Sequence, residues 1–286
     1  MDSDSGRRLT GRRTVLKAAG QETRGVKLAV STLGMPGQSL AEAAEIAAGG
    51  GCAGLELRLH PDTGVHLAMT AGERTAALAL ITARGLKVLG LAGYARVAAP
   101  GPDAPVVREL AAGLRLAHAF SVAGADGQTP ALRVFPGGTD SSAAARRIRA
   151  ALRETPGTAR VLVETHDSMP AGVDVARLLD TVGLPGRTGA IWDLLHPWRH
   201  GEPPGQTLAA LGDWLGYVQA KDAVSASDTT PVPLGAGSVP LAETAAALRA
   251  RGYDGWICLE WERTWYPQVQ PVVGILPGAR DWLRGL

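Results

Sequence analysis

Residues 191–202 read Ile191-Trp-Asp-Leu-Leu-His-Pro-Trp-Arg-His-Gly-Glu202: an apolar run ends in Asp193, His196 follows, and Pro197 is expected to stop regular structure there. An acid placed where a buried strand meets its loop is costly to desolvate, so it normally has a partner such as a cation or a metal. Two more runs end the same way, Val161-Leu-Val-Glu164 with His166 just beyond, and Trp256-Ile-Cys-Leu-Glu260. Three carboxylates closing three apolar strands point to one shared site. The competing reading is that each acid caps the helix after its strand.

Working outward, the chain from Val26 alternates short β-rich runs with Ala-rich amphipathic ones. The expected strands are Lys27–Ser31, Gly54–Arg58, Lys87–Leu91, Ala131–Phe135, Arg160–Glu164, Gly189–Asp193, Tyr217–Lys221 and Trp256–Glu260. Helical spacing marks Leu40–Ala48, Ala71–Arg84, Ser141–Arg153, Val173–Val182 and Leu241–Arg251. Strands alternating with helices imply a parallel sheet, and eight units in about 260 residues predict a single-domain α/β fold, a (β/α)8 TIM barrel over 25–286. An open doubly wound sheet is the runner-up, but the first turn, Ser31-Thr-Leu-Gly-Met-Pro-Gly37, lacks a GxGxxG phosphate loop.

Bulk properties agree with one enzyme-sized domain. Of 286 residues 45% are hydrophobic, enough for a large core, yet no run approaches the ~18 apolar residues of a membrane helix. Cys52 and Cys258 lie in apolar settings and read as buried thiols. The formal charge is +2, but residues 1–24 hold six basic against three acidic side chains, so the remainder carries −1. Nothing in that body suggests phosphate-backbone binding, and no nucleic-acid or membrane partner is expected. Gly11-Arg-Arg-Thr-Val-Leu-Lys17 looks like a twin-arginine signal without its apolar region, so residues 1–24 are expected to be a disordered relic and the protein cytoplasmic.

Alternation along a strand decides which side chains share a face, and active-site groups of a barrel sit at the carboxyl ends of its strands. Glu164 shares its face with Leu162, and Glu260 with Cys258 and with Glu262. Gln219 pairs with Lys221, Glu56 with Arg58, and Arg133 with Phe135. Each strand from the fourth to the eighth thereby offers a polar group to one mouth.

These segments resemble the xylose-isomerase-like TIM barrels, a superfamily of sugar isomerases and epimerases that also includes endonuclease IV-type enzymes and some dehydratases. The resemblance rests on Gly54-Leu-Glu-Leu-Arg58, Val163-Glu-Thr-His166, Trp192 to Glu202, Val218-Gln-Ala-Lys-Asp222, Leu234-Gly-Ala-Gly237 and Gly252 to Glu260, in family order. It implies that Glu164, Asp193 and Glu260 bind one divalent metal ion, with the seventh strand supplying the fourth ligand. Most epimerases carry His-x-Lys-Asp there, whereas this chain has Gln219-Ala-Lys-Asp222. An amide oxygen in place of imidazole favours Mn, Mg or Co over Zn. Dehydratases similar to 3-dehydroshikimate dehydratase also use Gln at this position, which keeps a lyase reading open beside the isomerase one.

The chemistry so implied is proton transfer next to a carbonyl through an enediolate, on a sugar or cyclic polyol-like small-molecule substrate. Glu164 and Glu260 are the expected catalytic pair: one removes the proton and the other returns it to the opposite face or the neighbouring carbon. Candidate substrate contacts are His196, by resemblance, together with Arg199, Glu202, Lys221, Glu56, Arg133, His166 and Trp198. Each has a structural alternative: His196 as a cap at Pro197, the loop charges as merely solvated, Lys221 as partner to a site acid, Trp198 as packing. A non-catalytic binding barrel would have lost the acids. A homo-oligomer stays open.

Overall fold

The computed structural model describes residues 25–155 and 157–286; the expected signal-like relic at 1–24 lies outside them. Eight strands form the centre: β1 (Lys27–Ser31), β2 (Gly54–Arg58), β3 (Lys87–Arg96), β4 (Ala131–Phe135), β5 (Val161–Glu164), β6 (Thr188–Asp193), β7 (Leu215–Ala220) and β8 (Trp256–Leu259). Each pairs in parallel with its neighbour in sequence, and β8 pairs with β1, Lys27 opposite Trp256 through Val30 opposite Leu259. The sheet therefore closes into a barrel, as the alternation predicts. Around it run α1 (Leu40–Gly49), α2 (Ala71–Thr82), α3 (Asp103–Ala119), α4 (Ser141–Glu154), α5 (Gly172–Val182), α6 (Leu195–Arg199), α7 (Pro204–Leu211), α8 (Leu241–Arg251) and α9 (Leu276–Leu283). No helix among the described residues is long and apolar enough to cross a membrane.

Local chemistry explains the helix ends. Ser39 and Glu42 form a reciprocal capping box at the start of α1, and Thr70 and Glu73 do the same for α2, each satisfying amides the helix cannot. Helix α8 ends on Gly252 at φ 66°, a left-handed conformation that a Cβ would oppose; its N–H returns to the Leu248 and Arg249 carbonyls. Between strands and helices lies an aliphatic layer that includes Val30, Leu55, Val134, Val163 and Leu179. A second cluster fills the lumen, with Ala29, Ala131, Leu162, Tyr217 and Cys258 among its members. Both cysteines are free and buried.

Two expectations need correction. Pro197 does not stop regular structure: it sits inside α6, in the first turn, where its missing N–H would have had no helical partner. Strand β3 does not end at Leu91 but runs on to Arg96. Its register slips, Ala92 facing Arg133 and Arg96 facing Phe135, so four steps of β3 match two of β4. Gly93 lies at this bulge, where a Cβ would come 3.0 Å from the Arg133 carbonyl oxygen. To the helices read from sequence the structure adds α3, α6, α7 and α9.

Candidate active site

The carboxyl ends of β1, β3, β4, β5, β7 and β8 converge on a cavity of about 240 Å³, lined by Leu33, Tyr94, Arg96, Arg133, Phe135, Glu164, His166, Lys221, Glu260, Glu262 and Trp265. The acids at this mouth are deep: Glu164 is 1% exposed, Glu260 3%, and Asp193, at the end of β6 beside the cavity, 0%. Alternation places them there. Glu164 closes the inward face of β5 above Leu162, and Glu260 follows β8 directly, its N–H donating to the Ala220 carbonyl of β7.

Two cations hold these acids. Arg133 Nη1 donates to Glu164 Oε2 at 2.9 Å and lies 3.7 Å from Glu260 Oε1, so one guanidinium nitrogen spans both expected proton carriers. Its Nη2 donates to the Gly93 carbonyl, and the Phe135 ring lies 4.3 Å from the guanidinium carbon. Lys221 Nζ lies 2.7 Å from Asp193 Oδ2, donates to Glu262 Oε1 at 2.6 Å and pairs with Glu260 Oε2. Of the two readings of Lys221, partner to the site acids is the one the geometry displays.

Burial and crowding set the proton affinities. Burial drives the Glu164 carboxyl well above the usual range, Glu260 and Asp193 add to this, and Arg133 and Lys221 oppose it. Burial also raises Glu262 and Glu56. For Lys221, burial would lower the ammonium, but Asp193, Glu260, Glu262 and Glu164 outweigh it and hold it well above its ordinary value. Burial pushes His166 down and His196 well down, so both imidazoles are neutral near pH 7 and able to act as ligands or acceptors.

Below the cavity, Glu56 Oε2 accepts from Tyr217 Oη at 2.5 Å and from Gln219 Nε2 at 3.0 Å, while Gln219 Nε2 also reaches Glu260 Oε1 at 3.2 Å. The amide oxygen of Gln219 is buried without a hydrogen-bond partner, as is His196 Nε2. Beside the cavity, Phe135, His166 and His196 stack in a row with centroids 4.3 and 4.2 Å apart. His196 Nε2 lies 3.8 Å from Asp193 Oδ2, and His166 Nε2 4.0 Å from Glu164 Oε1.

Two donor sets for a cation therefore meet at Glu164. One is the oxygen set Glu164, Asp193, Gln219 and Glu260 expected from sequence. The other is Glu164, His166 and His196, whose ligand atoms already lie within 4.8 Å of one another. Unpartnered buried donor atoms fit a cation here, since a buried polar atom normally has a partner.

The loop residues behave differently from expectation. Glu202 is not at the cavity: it is buried against the start of α5, accepting from Gly172 N at 2.7 Å and from the Thr207 hydroxyl at 2.7 Å. Six residues beyond His196 in sequence, it is carried away by the turn of α6 and drawn to the positive end of a helix. Arg199 donates to the Ala226 carbonyl, Trp198 packs half-buried on the core, and Glu56 lies beneath the cavity floor. The sequence reading missed Tyr94 and Arg96 as cavity residues; Trp265 joins them there. The first two were hidden beyond the apparent end of β3; Trp265 stands on the segment after β8, 55% exposed and 5.4 Å over Arg58.

With this geometry in place, similarity to known proteins becomes informative. The profile of the family described as "Xylose isomerase-like TIM barrel" matches residues 44–286. The chain belongs to this family. A Streptomyces coelicolor protein named "Putative hydroxypyruvate isomerase" is 33% identical over 114 residues, which is 40% of this chain and 39% of that relative's length. Among solved structures, the "probable 3-DHS dehydratase AsbF involved in the petrobactin synthesis from Bacillus anthracis" superposes with a TM-score of 0.70 at 20% identity, covering 91% of this chain and 98% of its own. The D-allulose 3-epimerase of a Methylomonas species in complex with D-allulose gives 0.68 at 18% identity, covering 91% and 96%. An IOLI protein with a bound zinc atom gives 0.71 at 13% identity, covering 90% and 96%. At these identities the structural likeness speaks for the fold alone. The proteins named in these comparisons are a putative isomerase, an epimerase and a probable dehydratase.

Proposed function

We propose that this protein is a divalent-metal-dependent isomerase or epimerase of a small hydroxy-carbonyl compound, a sugar, a cyclic polyol-like ketone or hydroxypyruvate. One observation carries the reading: two buried carboxylates, Glu164 and Glu260, flank one cavity and share a single guanidinium nitrogen, Arg133 Nη1. Glu164 takes or gives a proton at the carbon beside the substrate carbonyl, and burial raises its proton affinity above that of an ordinary carboxylate, which strengthens it as a base. Glu260 serves the opposite side, and Arg133 keeps both carboxylates aimed into the same space. Glu164, Asp193, Gln219 and Glu260 would hold a divalent ion, which when bound would supply positive charge near the substrate carbonyl. The neutral imidazoles of His166 and His196 orient substrate hydroxyls, Lys221 keeps the site acids paired, and Tyr94, Phe135 and Trp265 shield the cavity from bulk water.

The test is solvent exchange. In deuterated water, protein loaded with Mn²⁺ or Mg²⁺ is expected to introduce deuterium next to the carbonyl of ketoses or hydroxypyruvate. Glu164→Gln and Glu260→Gln are each expected to lower that rate by ~10²-fold or more, with bound metal measured in the same samples. Turnover without deuterium entry, with both variants near wild type, would overturn the mechanism. A dehydratase is the second reading, favoured by Gln219 at the end of β7, the residue type that the resemblance to 3-dehydroshikimate dehydratases places among the metal ligands. Loss of water from a cyclic hydroxy-ketone, with deuterium uptake, would decide for it.

A further inference from the structure

The barrel has a second polar cavity at its opposite, amino-terminal end. It holds about 210 Å³ and is lined by Leu89, Asp126, Thr129, Arg160, Tyr217 and Trp256 among others. Arg160 precedes β5 and shares the inward face of Leu162 and Glu164, so it points into the lumen about 13 Å along the strand from the catalytic carboxylate. The charged and hydroxyl-bearing neighbours of Arg160 in this lining are already engaged. Asp126 Oδ1 meets Lys27 Nζ at 2.5 Å and its Oδ2 accepts from Trp256 Nε1 at 2.7 Å. Thr129 Oγ1 pairs with the Thr158 hydroxyl at 2.6 Å, and the Tyr217 hydroxyl is spent on Glu56. Arg160 makes no ion pair among the described residues, and its Nε is buried without a hydrogen-bond partner. Burial accordingly lowers its proton affinity with no carboxylate to offset it.

Arg160 is a partly buried guanidinium whose Nε has no hydrogen-bond partner, and its planar fork of donors matches the oxygens of phosphate. Asp126 does not cancel it, because Lys27 already does so. We propose that this amino-terminal cavity is an oxyanion site, with Arg160 as the counter-ion for a phosphate group, separate from the chemistry at the other mouth.

Titration calorimetry of the full chain with inorganic phosphate, in chloride buffer of matched ionic strength, tests this. Wild type is expected to bind one phosphate per chain, Arg160→Gln to bind at least tenfold more weakly, and Arg160→Lys to fall between. Thermal unfolding gives a second readout. Without phosphate Arg160→Gln is expected to melt no lower than wild type, and saturating phosphate is expected to raise wild type alone by about 2 °C or more. No binding by wild type overturns the proposal. So does equal binding by Arg160→Gln, which would place the anion at Arg133 or Arg96, and so does a marked loss of stability in phosphate-free Arg160→Gln, which would make Arg160 a structural residue.

Discussion

Lys221 sits among Asp193, Glu260 and Glu262 as their built-in counter-charge, and a bound divalent ion would share that task. Lys221→Met leaves Asp193 and Glu262 without their cation and Glu260 with Arg133 alone, so in chelator its unfolding free energy is expected to fall by about 3–5 kcal/mol. Added Mn²⁺ is expected to restore most of this loss and to stabilise wild type less; denaturant melts with and without the ion measure both. An equal deficit in both buffers would separate Lys221 from any ion. For Glu202 the expectation reverses: Glu202→Gln should cost about 1 kcal/mol through the start of α5 and leave KM unchanged. The contrast shows what a sequence tells about single residues. Glu164, Asp193 and Glu260 were legible because strand alternation fixes direction as well as position. Glu202 was not, because nearness to His196 along the chain becomes distance once α6 turns between them.

Among elements, β3 and its connection to α3 depend on one side chain from α4. Arg147, 2% exposed, donates through Nε to Asp103, through Nη1 to the Val97 and Ala99 carbonyls, and through Nη2 to Gly101. Arg147→Met fills similar volume but strands three carbonyls and a carboxylate. A loss of about 2–5 kcal/mol is expected, with early protease cleavage near residues 97–103; a change below ~1 kcal/mol would refute this role. The same region is where the sequence was least readable. An apolar run interrupted by Gly90 and Gly93 looks finished at Leu91, whereas those glycines admit close neighbours, Tyr217 and the β4 backbone, and the strand goes on to deliver Tyr94 and Arg96 to the cavity. Strand count, order and most helix starts were legible, since capping boxes and period are local; a bulge is set by the neighbouring strand and leaves little local trace.

For the molecule as a whole, acid is the expected weak point. Arg147 and Arg146 hold Asp103 below its ordinary value of 3.8. Burial would raise Asp126, but Lys27 and Trp256 outweigh it and bring it below 3.8 as well. Carboxyls depressed in the folded state lend stability that is complete above pH 3.8 and is lost as pH falls through their folded values. Melting temperature is therefore expected to drop steeply below pH 3.8, and Asp103→Asn to flatten that drop while lowering stability at pH 7. An unchanged acid slope in the variant would refute the assignment. The closure of the barrel, Lys27 to Val30 against Trp256 to Leu259, has a consequence of another kind. Its partners stand 229 positions apart, so these hydrogen bonds repay the entropy of the longest loop in the sheet. Folding is then slow by topology, and until β8 arrives the growing barrel shows two unpaired edges to any chaperone or sticky neighbour. Glu260 comes with that last strand, so the cluster of buried acids at the mouth is completed by the same event that seals the sheet.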